Sequence, residues 1–113
     1  MVIGVIPARL DSIRFPKKIL ANLGGKPLVA YVAEQATKAE KLDKVIIAID
    51  AKETEQALLE YDFKLVMTSK NHASGTDRVA EVAKGEPEAK IIINIQGDEP
   101  LLKPPLIDGL VDI

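Results

Sequence analysis

Three short segments of this chain, residues 2–7, 44–49 and 90–95, are apolar at nearly every position. A strand with one wet face alternates polar and apolar residues. An unbroken apolar run needs cover on both faces, as strands inside a parallel sheet have. A weaker run at 63–67 completes the strand set. Helical spacing fills the gaps. Pro27 sits in the first turn of a helix in which Leu28, Val29, Val32, Ala33, Ala36 and Ala39 recur through about Glu40. A second helix is expected from Glu53 to about Glu60, with Ala57 and Leu58 as its apolar side. A third runs from about Gly75 to Ala83 with Val79, Val82 and Ala83 inward, and Pro104 and Pro105 open a fourth carrying Leu106, Ile107, Leu110 and Val111. Strand and helix alternate throughout, which predicts an α/β fold: a mostly parallel sheet with right-handed crossovers and helices on both faces. Such sheets bind ligands at the carboxyl ends of their strands.

A chain of 113 residues fits one small domain. Its net charge of −2 gives no overall attraction for nucleic acid, and the absence of Trp argues against base stacking on single strands. With no cysteine, disulfides and thiolate metal sites are excluded. The first apolar run is too short for a signal peptide or a membrane span, so a cytoplasmic protein is expected. Residues 111–113 carry neither a helix stop signal nor a polar tail, which reads as a cut rather than an end.

Positive charge is concentrated where the first strand ends. Pro7-Ala8-Arg9 leads into Ser12, Arg14, Phe15, Pro16, Lys17 and Lys18. A strand end fixes such a loop, backbone N–H groups face an anion, and Arg forks close over it, which suits a polyphosphate. A solvated basic loop is the plainer alternative. The segment has neither GxGxxG nor GxxxxGK[ST], so it is not a dinucleotide or Walker A loop. Gly24-Gly25-Lys26-Pro27 reads as a tight turn before a helix, with Lys26 able to help close the phosphate site. At the last strand end, Gln96-Gly97-Asp98-Glu99-Pro100 delivers two adjacent carboxylates. A hard cation such as Mg²⁺ takes one or two carboxylates plus phosphate oxygens, which makes Asp98 a metal-ligand candidate; a polar turn is the alternative. Between the third strand and third helix, residues 68–78 offer hydroxyls, Ser74, Gly75 and Arg78 to a base edge, or simply cap the helix. His72 is the only histidine, so a histidine-pair metal site is excluded.

The run IPARLDSIRFPKKIL, then GGKP, MTSKNHASGTDR and NIQGDEP, resembles the 3-deoxy-manno-octulosonate (KDO) cytidylyltransferase family over essentially the whole chain. IPAR is shared with other sugar nucleotidyltransferases, whereas SGT-x-R together with QGDEP is more specific. The resemblance implies a Rossmann-like nucleotidyltransferase fold, transfer of CMP from CTP to KDO with release of pyrophosphate, a need for Mg²⁺, a place in lipopolysaccharide assembly, and a homodimer. It implies that Arg9, Arg14 and Lys18 hold the triphosphate beside Ala8 and the loop serine Ser12. It also implies that Met67, Ser74, Gly75 and Arg78 build the cytidine pocket with Gln96 beside it, and that Asp98 binds Mg²⁺. By this resemblance the chain is the nucleotide-binding part, and a sugar-binding part of similar size is missing, with most KDO contacts, a second metal carboxylate and much of the dimer surface.

The chain departs from the family at Lys17 and Ile19, where Gly and Pro are usual around the loop lysine, and at Ile49, where Thr usually precedes the retained Asp50. Rival readings are a nucleotidyltransferase for a sialic-acid-like acid or a sugar 1-phosphate, and a catalytically silent nucleotide-binding fragment.

Overall fold

The computed structural model describes residues 1–9, 22, 23, 25–69, 75–95, 105 and 109. The elements are β1 (Val2–Ala8), β2 (Asn22–Leu23), β3 (Lys26–Pro27), α1 (Leu28–Thr37), β4 (Lys44–Ile49), α2 (Lys52–Ala57), β5 (Lys64–Met67), α3 (Gly75–Lys84) and β6 (Ile91–Asn94). The four longer strands form one sheet in the order β5-β4-β1-β6, and every pairing is parallel. The α/β expectation holds, and the four expected strands are present with ends within one residue. Of the expected fourth helix, Pro105 and Gly109 are described, and both are helical.

Strict alternation divides the sheet between two cores. Ile6 and Ala8 of β1, Ile47 and Ile49 of β4, and Ile95 pack with Val29, Val32, Ala33 and Ala36 of α1 and with Leu58 at the end of α2. On the other face Ile3, Val5, Ile46 and Ala48 pack with Val79 and Val82 of α3. The central strands β1 and β4 are therefore covered on both sides, as their continuous apolar runs require.

The helices end by tightening. After α1, Lys38 and Ala39 donate to Gln35 and Ala36 carbonyls, three residues back. After α2, Leu59 donates to Gln56 and Tyr61 to Leu58 in the same way. These 3₁₀-type bonds satisfy carbonyls that would otherwise lack partners, and they explain why both helices are shorter than their apolar spacing suggests. Pro27 is the residue before α1 (φ −61°, ψ 147°) rather than part of its first turn. It also pairs with Asn22 in the β2–β3 ribbon, whose turn carries Gly25 at φ +96°. That left-handed conformation favours glycine, and the tight turn read from Gly-Gly-Lys-Pro is present.

Chain reversal occurs beside β1. The path runs outward through β4 to β5, then crosses back to β6 on the other edge of β1. The switch point of the sheet lies between the carboxyl ends of β1 and β6, where open α/β sheets hold ligands. Pro7 helps to part these ends. Met1 and Val5 accept from Lys90 and Ile95, so the odd-numbered residues of β1 face β6. Pro7 shares that parity and has no N–H to donate. The β1–β6 register ends at Val5↔Asn94, whereas pairing with β4 continues to Ala8↔Ile49.

Gly4 makes the fit at the base of β1. A Cβ there would stand 2.9 Å from Leu42 Cδ1 and 3.0 Å from Ile95 Cδ1. Gly4→Val should therefore lose about 1–3 kcal/mol through overpacking, read as a lower urea midpoint with an unchanged m-value.

Candidate nucleotide site at the carboxyl ends of the strands

All four strands of the main sheet point the same way, so their carboxyl ends share one edge: Ala8 and Arg9 at the end of β1, Asp50 after β4, Met67 to Ser69 at β5, and Asn94 and Ile95 at β6. Ala8 is buried against α1, and Arg9 is exposed beyond it. Met67 is 46 % exposed, unusual for a large apolar side chain at a strand end. An exposed apolar side chain and an exposed cation on the same sheet edge, with β4 between them, suit a ligand with a flat apolar part and a charged part. Gly75 is the first residue of α3. Ser12, Arg14, Lys17, Lys18, Ile19, His72, Ser74, Gln96 and Asp98 lie outside the described residues. Among the described residues no group of three or more His, Cys, Asp or Glu could hold a metal ion.

Arg78 occupies a place that its sequence position on the first turn of a helix does not announce. Its residue surface is 1 % exposed. Nη1 donates to Thr68 Oγ1 at 2.6 Å and to the Ser69 carbonyl at 2.9 Å. Nη2 makes no hydrogen bond of good geometry but stands 3.4 Å from Asp50 Oδ2. Thr68 continues the chain of contacts, since both its N–H and its hydroxyl donate to the Ile49 carbonyl at 2.7 and 2.8 Å. The ends of β4 and β5 are thus pinned to each other and to α3 around one buried guanidinium. The contacts of Arg78 are to protein groups, while the resemblance placed it in the cytidine pocket.

Sequence reasoning named Asp50 and the hydroxyls of residues 68–78 but did not connect them to each other through Arg78. An acid closing an otherwise apolar strand was the available signal, because a buried carboxylate requires a partner. Lys26, considered for the phosphate site, instead holds Glu34 Oε2 at 2.6 Å and stands 5.2 Å from the centroid of the Tyr31 ring. The hydrogen bond that Lys26 donates to Glu34 raises the lysine's pKa above its usual value.

The cytidylyltransferase family model matches residues 3–112. The chain belongs to the cytidylyltransferase family. It is 48 % identical over 110 residues to a 3-deoxy-manno-octulosonate cytidylyltransferase of Pelobacter propionicus, covering 97 % of this chain and 43 % of that one. It is 42 % identical over 111 residues to the enzyme of the same name from Trichlorobacter lovleyi, covering 98 % and 44 %. Among solved structures it superposes with a TM-score of 0.93 and 40 % identity on a CMP:2-keto-3-deoxy-manno-octonic acid synthetase complexed with CTP, covering 98 % of this chain and 46 % of that one. The fold is that of the nucleotidyltransferases, as the family resemblance implied. This cytidylyltransferase chain spans less than half the length of the curated relatives it matches.

Asp50→Ala should leave the Arg78 charge buried with only its Thr68 and Ser69 contacts. Breaking a buried pair costs about 3–5 kcal/mol, and the two surviving hydrogen bonds place the expected loss near the lower end. Urea unfolding measures it.

Proposed function

We propose that this chain is the CTP-binding part of a 3-deoxy-manno-octulosonate cytidylyltransferase, which transfers CMP from CTP to KDO and releases pyrophosphate. The observation that carries this reading is the superposition, over nearly the whole chain, on a synthetase complexed with CTP. In this reading the nucleotide lies across the switch point between β1 and β6. Arg9, at the end of β1, takes the triphosphate together with Arg14, Lys18 and the flanking Ala8 and Ser12. Met67, Ser74, Gly75 and Gln96 take the base, and Arg78, which bonds Thr68 and Ser69, holds the end of β5 that leads into this segment.

The reaction is an in-line displacement at the α-phosphorus. The bond from a KDO hydroxyl oxygen to the α-phosphorus forms, the bond to the bridging oxygen breaks, and pyrophosphate leaves. The hydroxyl proton passes to solvent or to a basic group outside this chain's described residues. Arginine and lysine stabilise the charge that grows on the departing pyrophosphate, so positioning and electrostatics supply most of the rate. In the sequence Asp98 comes soon after β6, which ends at Asn94. A hard carboxylate that leaves coordination positions to phosphate oxygens is the donor chemistry that Mg²⁺ takes. When bound, the ion would neutralise phosphate charge and lower the pKa of an oxygen on it.

The product supplies lipopolysaccharide assembly in this reading, and the complete protein is a cytoplasmic homodimer. Among the described residues no helix is long and apolar enough to cross a membrane. A second reading, a nucleotide-binding module without turnover, is favoured by one observation: the chain spans under half of its relatives. Pyrophosphate release with CTP and KDO, compared with CTP binding alone, separates the two. A panel of acceptor sugars separates KDO from sialic-acid-like acids.

Two substitutions test the assignments. Lys18→Ala should weaken CTP by about tenfold to a hundredfold, the scale of one charge-assisted contact, and leave cytidine affinity nearly unchanged; equal losses for both ligands would remove Lys18 from the triphosphate site. Asp98→Asn should lower turnover by at least about a hundredfold with the thermal midpoint preserved. Wild-type turnover would refute the metal assignment.

A further inference from the structure

A strand paired in parallel on both edges divides its backbone between its partners, alternate residues bonding to one neighbour and the rest to the other. In β1 the division is fixed by one bond. The Ile95 N–H donates to the Val5 carbonyl at 2.9 Å, so Val5 and every second residue from it serve β6, and the residues between them serve β4. The register then settles what the next rung would be. With Val5 opposite Asn94, residue 7 would donate its N–H to the Ile95 carbonyl. Residue 7 is proline, and that donor does not exist.

The loss is one-sided. Pairing with β4 runs through Pro7↔Ala48 to Ala8↔Ile49, whereas the β6 register stops at Val5↔Asn94. Proline within sheets is confined to edge strands, strand starts and bulges, because elsewhere it removes a rung. Here it stands in a central strand, and the rung it removes is the one beside the switch point. The strand ends are otherwise ready to pair. Ala8 and Ile95 are both buried and pack in the same apolar core. A backbone donor offered beside a buried carbonyl is taken up, since leaving such groups unpaired is costly.

We propose that Pro7 is a positioning residue for the nucleotide: by withholding one N–H from β6 and none from β4, it stops the β1–β6 ladder from closing one step further across the switch point. The proposal rests on the CTP-binding reading. It names a cause, the missing hydrogen, as distinct from the proline ring or its fixed φ.

Two replacements in the full-length protein separate these causes. Pro7→Ala restores the N–H. Lactic acid at position 7, joined through an ester, has the alanine side chain and no N–H. In Pro7→Ala the amide introduced at position 7 should be protected from hydrogen exchange without ligand and lose that protection when CTP is saturating. The CTP Kd, measured by calorimetry, should rise about three- to tenfold, the scale of one backbone hydrogen bond that the ligand must first break. The urea midpoint should not fall. The ester protein should bind CTP within about twofold of wild type, the lower limit of a single hydrogen bond. A merely structural role for the ring would weaken CTP equally in both replacements and lower the urea midpoint. That result, an unprotected amide at position 7, protection that persists under saturating CTP, or unchanged CTP affinity in Pro7→Ala would overturn the proposal. If the wild-type protein binds no CTP, the functional reading fails and the role toward the nucleotide falls with it; protection of the position 7 amide then decides alone whether Pro7 holds the strands apart.

Discussion

Everything in this fold leans on β1. It is paired along both edges, by β4 and β6, and packed on both faces, by α1 on one side and α3 on the other. No water reaches Ile3, Val5, Ile6 or Ala8. Its backbone polar groups have no solvent to fall back on, so the neighbouring strands must satisfy them. That requirement sets the register of the sheet. It also makes Pro7, the one residue of β1 without an N–H, the place where a neighbour can be let go. Pairing to β6 ends just before it, at the switch point where the nucleotide is proposed to lie.

The polar carboxyl edge has two layers. The upper one, with exposed Arg9 and Met67, faces outward. The lower one, Asp50, Arg78 and Thr68, is buried and has protein partners. A buried ion pair contributes little net stability, because desolvation offsets most of the attraction. What it supplies here is geometry, since a planar fork with several donors can hold two strand ends and a helix at once.

The strands were legible because burial on two faces leaves a compositional trace, an apolar run that no amphipathic element produces. The α3 helix was legible because Val79 and Val82 sit at helical spacing. The β2–β3 ribbon was not, because two-residue strands carry no periodicity and only Gly25 marks the turn. Helix ends were overrun because the apolar residues Ala39 and Leu58 continue inward through 3₁₀ turns, so the hydrophobic pattern outlasts the α-helix. At the site, the basic strand end and the polar strand termini could be read directly. The burial of Arg78 could not. An arginine on a helix's first turn between Asp77 and Val79 looks solvated, and its partner Asp50 is distant in sequence; only the strand order brings them together.

That same strand order has a consequence for how the chain comes into being. Val2 pairs with Lys90's neighbour Ile91, so β1 gains its second edge only after β6, much later in the chain, has left the ribosome. Until then an apolar strand stands with one side unsatisfied, as exposed strand edges do when they recruit other chains. Contacts of such long separation also slow folding. A sheet built this way depends on nascent-chain protection while β6 is still to come, and substitutions in β6 are as much a matter of synthesis and yield as of the finished molecule.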